Sequence, residues 1–230
     1  MHFSHFLVAL ASLSPYPYAS PAPSLHNLSP RSTSYRDTET GFTFSETRAA
    51  ATLTSNIVYR IAQPANVPAN TPYDIVLQVV APNSLGWVGL AWGGGMIRNP
   101  LTVGYPNGSK APTVSSRWAT SHSTPAANPS ATITPLRTGN KSNSTHWQYT
   151  VQCSGCTSYT GASGPVLIDS TGSRRFAFAC SQSKVSNPGS ATASIPVHDV
   201  YGYVTHDFAA GANTGWDALV ARNGGRNATV

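Results

Sequence analysis

Eleven short runs rich in β-branched and aromatic residues, each bounded by turn residues, set the limits of what this chain can fold into. They lie at residues 42–45, 56–61, 73–80, 86–92, 101–105, 113–120, 131–136, 145–153, 166–169, 174–181 and 200–208. Residues 145–153 nearly alternate, with Trp147, Tyr149, Val151 and Cys153 falling on one face. Turn signals such as Pro106-Asn107-Gly108 and Ser170-Thr171-Gly172 separate the runs. So many strands in one chain predict an all-β fold, an antiparallel two-sheet β-sandwich of immunoglobulin-like type. One short helix is expected, at residues 216–222.

Composition agrees. Only 10% of the 230 residues are charged, against 19 glycines and 18 prolines, which disfavours long amphipathic helices. The net charge of +6 is spread without a Lys/Arg run, so no nucleic-acid partner is expected.

The apolar run at residues 3–13, followed by Pro15-Tyr16-Pro17-Tyr18-Ala19, reads as a signal peptide over residues 1–19. It is too short to span a bilayer, so no membrane association is expected. Residues 20–34, rich in Pro and Ser, read as a flexible leader. A single domain is assigned to 35–222 and a flexible tail to 223–230. Sequons at Asn27, Asn107, Asn140, Asn143 and Asn227 suit a secreted, extracellular protein. In that compartment Cys153 and Cys156 are expected to pair as a tight disulfide loop, leaving Cys180 as a buried small hydrophobe. Thr157 follows Cys156, so the C-x-x-C-H of covalent haem attachment is missing, and no zinc-type ligand spacing is present.

The most unusual segment is Gly86-Trp-Val-Gly-Leu-Ala-Trp-Gly-Gly-Gly-Met96. Beyond the signal, Met96 is the only methionine, and glycine beside it allows close approach by a ligand or by backbone. The plainer reading is a glycine-rich turn with Met96 filling a core gap. Of the seven histidines, His122, His198 and His206 fall in the folded region at places of interest. A thioether and an imidazole together can hold low-spin haem iron. Composition does not choose the pair.

Motifs in order across about residues 35–215 resemble the cytochrome domain of fungal cellobiose dehydrogenases, the haem b, DOMON-like iron-reductase domain. They are Asp37-x-Glu39-Thr40-Gly41-Phe42, Val80-Ala81-Pro82, Gly86-Trp87-x-Gly89, Gly93-Gly94-Gly95-Met96, Ser116-Arg117-Trp118-Ala119-Thr120, Asn143-Ser144-Thr145-His146-Trp147, Cys153-x-Gly155-Cys156-Thr157 and His198-x-x-x-Gly202. The resemblance implies a β-sandwich with a pocket for one non-covalent haem b, whose iron takes Met96 and His198 as axial ligands. It also implies one-electron transfer with no open iron position.

Gly95, beside the methionine, is expected at the cofactor. Tyr105 and His122 stand where the family has a Trp and a Tyr near the propionates, and Tyr201 is expected against the haem. The implied partners are a flavin dehydrogenase as donor and a lytic polysaccharide monooxygenase, ferric iron or a quinone as acceptor. No catalytic residue is assigned and a monomer is expected. No G-x-G-x-x-G opens a βαβ unit, so the expectation is a stand-alone haem domain or a fragment.

Two other readings compete. A haem-free carbohydrate-binding β-sandwich module would use the five Trp and ten Tyr on its surface. A histidine-brace copper oxygenase would need His26 at the mature N-terminus.

Overall fold

The structure is a computed structural model that describes residues 32–109 and 111–226. The expected signal peptide, most of the leader, His26, Asn27 and Asn227 lie outside the described residues. The strands in chain order are β1 (Thr33–Arg36), β2 (Thr43–Ala50), β3 (Asn56–Pro64), β4 (Ile75–Pro82), β5 (Trp87–Ala91), β6 (Pro100–Tyr105), β7 (Thr113–Trp118) and β8 (Ala126–Ala127). They continue with β9 (Thr132–Pro135), β10 (Lys141–Ser142), β11 (His146–Ser154), β12 (Ser158–Gly161), β13 (Gly164–Leu167), β14 (Ser173–Ser181), β15 (Val200–Asp207) and β16 (Ala212–Asn213). The one α-helix among the described residues, α1, is Trp216–Arg222, as the sequence suggested.

Two sheets form the sandwich. The first runs β1-β2-β3-β4-β11-β10, with β9 also on β11 and the two-residue β16 parallel to β3. The second runs β15-β14-β5-β6-β7-β8, and β12–β13 is a separate hairpin. Apart from β16, all strand pairs are antiparallel.

Period-two alternation explains the core. Ile57, Tyr59 and Ile61 of β3, Leu77 and Val79 of β4, and Trp147, Tyr149, Val151 and Cys153 of β11 face Val88, Leu90, Phe176 and Phe178 of the second sheet. The Tyr59 hydroxyl crosses the gap and donates to the Gly89 carbonyl at 3.0 Å.

Each sheet also carries an apolar patch on its outer face, beside a polar stretch on the first sheet where Arg60 donates to Glu46 and Gln78. On the first sheet, Phe42, Phe44, Ala62 and Val76 are covered by α1 through Val220 and Trp216, the latter 5.4 Å from Phe42. On the second sheet, Trp87, Ala91, Leu101 and Val103 are only partly covered, by Val185, Ala193 and Ile195.

Two expected boundaries move. β1 starts at Thr33, inside the segment read as leader, because residues 33–36 pair in register with Glu46 to Thr43. The tail does not begin free at residue 223. Asn223 is buried, and its amide donates to the Thr40 carbonyl at 2.8 Å and to Leu219.

Candidate functional site

The incompletely covered outer face of the second sheet forms the floor of a cavity of about 240 Å³. The floor follows from register. Gly89 lies between Ala179 and Val103, and Ala91 lies between Ala177 and Leu101. Small residues on the two central strands leave a flat apolar bed three strands wide, roughly 10 Å at ~4.8 Å per strand step. A side chain at Gly89 would meet nothing closer than 3.4 Å, so the bed is open above it.

Met96, His198 and His122 all line this cavity. The sandwich therefore brings together two side chains that are 102 positions apart in sequence. Met96 is half-buried and packs with Ile97 on the outer-face cluster. His198 is half-buried, with its ring 5.2 Å from that of Tyr201 in an edge-on contact. His122 is exposed at the rim, next to Ser123 and Thr124.

The loop that carries Met96 is held from one side chain. The Asn99 amide donates to the carbonyls of Gly95 and Ile97, each at 2.9 Å, and accepts from the Tyr159 hydroxyl at 3.0 Å. Gly93 is needed because a Cβ there would sit 1.5 Å from the Asn99 oxygen, and Gly94 because its φ is +80°. The glycines thus serve the loop's own turn. Gly95 does not border the cavity, contrary to the expectation for it.

The segment before β15 is held by Asp199. Its carboxylate accepts from the Gln182 N–H at 2.7 Å and the Ser181 hydroxyl at 2.9 Å, and its N–H donates to the Cys180 carbonyl. Those bonds, the Gln182 one first, lower its pKa and keep it ionised beside His198. Gly202 completes the His198-x-x-x-Gly pattern for a steric reason, since a Cβ would lie 2.9 Å from the ring of Phe178 in the core between the sheets.

Two expected residues stand elsewhere. Tyr105 is fully buried in the outer-face cluster but does not line the cavity, because its hydroxyl is used by the Ser190 carbonyl at 2.5 Å. Tyr201 is 72% exposed and lies against His198 outside the cavity. Cys153 and Cys156 form the expected disulfide. Cys180 is buried between the sheets, and burial pushes its thiol up to about 11, so it stays protonated and unreactive.

The sequence shows Arg117 only as part of the Ser116-Arg117-Trp118-Ala119-Thr120 motif, with no role assigned to it. It is 2% exposed and has no carboxylate partner. Instead its guanidinium donates to the Ser115 hydroxyl and to the carbonyls of Pro125, Ala191 and Ala193. Pro125 belongs to the rim with His122, and Ala193 to the segment leading to Ile195 and His198. One buried cation therefore ties the cavity's two protein rims together.

The donor chemistry is specific. No carboxylate lines the cavity, and no group of three His, Cys, Asp or Glu able to hold a bare metal ion is present among the described residues. A thioether, an imidazole, an apolar bed and a rim of hydroxyls with one imidazole suit a flat, amphipathic metal macrocycle.

The family described as the cytochrome domain of cellobiose dehydrogenase matches residues 35–218. A pyrroloquinoline quinone-dependent pyranose dehydrogenase of Coprinopsis cinerea is 33% identical over 147 residues, which is 64% of this chain and 19% of that protein. The chain thus matches only about a fifth of that relative's length. Among solved structures, the cytochrome b domain of pyranose dehydrogenase from Coprinopsis cinerea aligns with a TM-score of 0.71 at 27% identity, covering 84% of this chain and 95% of that one. The cytochrome domain of Myriococcum thermophilum cellobiose dehydrogenase aligns with a TM-score of 0.73 at 16% identity, covering 86% and 99%. The latter is a likeness of fold.

Proposed function

The chain belongs to the family of cytochrome domains of cellobiose dehydrogenase, and on that premise we propose that it is an extracellular b-type cytochrome that passes single electrons. The observation that carries this reading is that Met96 and His198 line one apolar cavity over a flat bed of Gly89, Ala91, Ala177 and Ala179. When bound, haem b supplies the one-electron couple. The Met96 thioether and the His198 imidazole are the residues that would hold its iron, and two protein ligands of this kind would leave it to outer-sphere electron transfer.

The rest of the site acts by holding these groups still. Asn99 fixes the Met96 loop, and Asp199 fixes the turn next to His198. Trp87, Leu101, Val103 and Ile195 exclude water from the bed. His122, Ser123 and Thr124 form the polar rim suited to the cofactor's carboxylates. Arg117 sets a fixed positive charge behind the rims, which favours the electron-rich state.

The donor in this reading is a sugar dehydrogenase, of flavin or quinone type, and the acceptor is a lytic polysaccharide monooxygenase, ferric iron or a quinone. Secretion rests on the apolar run at residues 3–13. No helix among the described residues is long and apolar enough to cross a membrane.

The test is the visible spectrum of the purified protein, oxidised and then reduced with dithionite. A low-spin haem spectrum with a sharp reduced α-band is expected, and Met96→Leu should convert it to a high-spin form. A colourless protein that takes up no added haemin would overturn the proposal.

A further inference from the structure

We propose that a second cavity, separate from the cleft of Met96 and His198, binds one pyranose unit of a neutral glycan. It measures about 330 Å³ and is lined by Trp118 at the end of β7, Asn128 and Ser130 between β8 and β9, Gly155 in the disulfide loop, and Tyr159 and Thr160 of β12.

The wall chemistry selects the ligand class. A pyranose ring has an apolar face of C–H groups and an edge of hydroxyls. Trp118 and Tyr159, an edge-on pair 6.4 Å apart and each partly exposed, supply aromatic surface for the first. Ser130, Thr160 and Asn128 supply polar partners for the second. No Asp, Glu, Lys, Arg or His lines the cavity, so a charged ligand would find no counter-charge in its wall. Arg174, which acts on the Tyr159 hydroxyl, stands outside the lining. Burial raises the pKa of that hydroxyl and keeps it neutral.

An independent observation points to an occupant. Asn128 is 7% exposed, and its side-chain oxygen accepts from the Ser130 N–H at 3.0 Å, yet its amide nitrogen has no partner among the described residues. Beside it, the Ser116 hydroxyl is also buried without a partner, while the Ser116 carbonyl accepts from the Asn128 N–H at 3.0 Å. Buried side-chain donors in folded proteins are nearly always satisfied. A sugar hydroxyl in the cavity would answer the Asn128 amide nitrogen, since Asn128 belongs to the lining.

The place of the cavity gives the binding a use. Tyr159, one of its walls, donates to Asn99, which in turn holds the carbonyls flanking Met96. A glycan held there would dock the molecule on a polysaccharide one side chain away from the Met96 loop.

The test is titration calorimetry of the full chain with cellotetraose, xylotetraose and mannotetraose, and with a galacturonate tetramer as the charged probe. At least one neutral tetramer should bind saturably in the millimolar range. Asn128→Ala should weaken it at least tenfold, and Thr160→Arg, at an exposed mouth position, should abolish it while leaving the melting temperature and visible spectrum intact. Should Asn128→Ala fail to fold, Thr160→Arg decides alone. No saturable binding by any neutral tetramer, binding undiminished in the folded variants, or tighter binding of the galacturonate would overturn the proposal.

Discussion

His206 is fully buried between Phe176 and Phe208, and neither ring nitrogen has a hydrogen-bond partner. Desolvation lowers its pKa to about 3, against about 6.5 in an unfolded chain. The unfolded chain therefore binds more protons between these values. Stability should be full above about pH 6.5 and fall as the pH drops towards 3, by up to ~1.4 kcal/mol per unit. Urea melts at pH 7 and pH 4.5 should show this loss in the wild type and a much smaller one in His206→Leu. The sequons separate by the same reasoning. The Asn140 amide nitrogen donates to the Leu136 carbonyl at 2.5 Å, while Asn143 is exposed and uses only its oxygen, for Thr145 and His146. Peptide mass spectrometry of the secreted protein should find glycan on Asn143 and none on Asn140. Little of this could be read from the chain. His122, His198 and His206 are equivalent by composition, and only strand phase sends His206, two residues from Val204, into the core while Tyr201 and Tyr203 face out.

At the scale of elements, the alternation in β11 and the helix at α1 were legible because period and length are local properties. The short strands β1, β8, β10, β12 and β16 were not, since two to four residues carry no period and depend on a partner strand for their shape. The floor was also missed. Residues 86–96 stand out in the sequence for their glycines and Met96, and Ala177-x-Ala179 reads as ordinary strand, but only the pairing of β14, β5 and β6 sets Gly89, Ala91, Ala177 and Ala179 side by side. Ala177→Phe should therefore block haem uptake while leaving the melting temperature of the haem-free protein within a few degrees, as titration with haemin would show. The role of Arg117 was missed because its partners are carbonyls from distant loops, which no spacing announces. Arg117→Met strands those acceptors and frees both rims. It should cost about 2–4 kcal/mol in denaturant melts and speed the loss of haem to an excess of apomyoglobin.

Across the whole molecule, one asymmetry organises the account. Each sheet carries an apolar patch on its outer face, but the first sheet's patch has α1 to cover it and the second sheet's has only the segment around Val185, Ala193 and Ile195. The partly exposed Ala177 and Ala179, and Val197 at 83% exposure, mark where protein cover ends. A haem reading was accessible from the order of motifs along the chain, whereas the flat bed proposed for it exists only after the sandwich has formed. The most direct test uses protein labelled with ¹³C at the methionine methyl group, loaded with haem and reduced. If Met96 sits on the iron, its methyl resonance should lie far upfield of the protein envelope, shifted by the porphyrin ring current, and Met96→Leu should remove it. A Met96 methyl signal unmoved by haem loading and reduction would contradict the account.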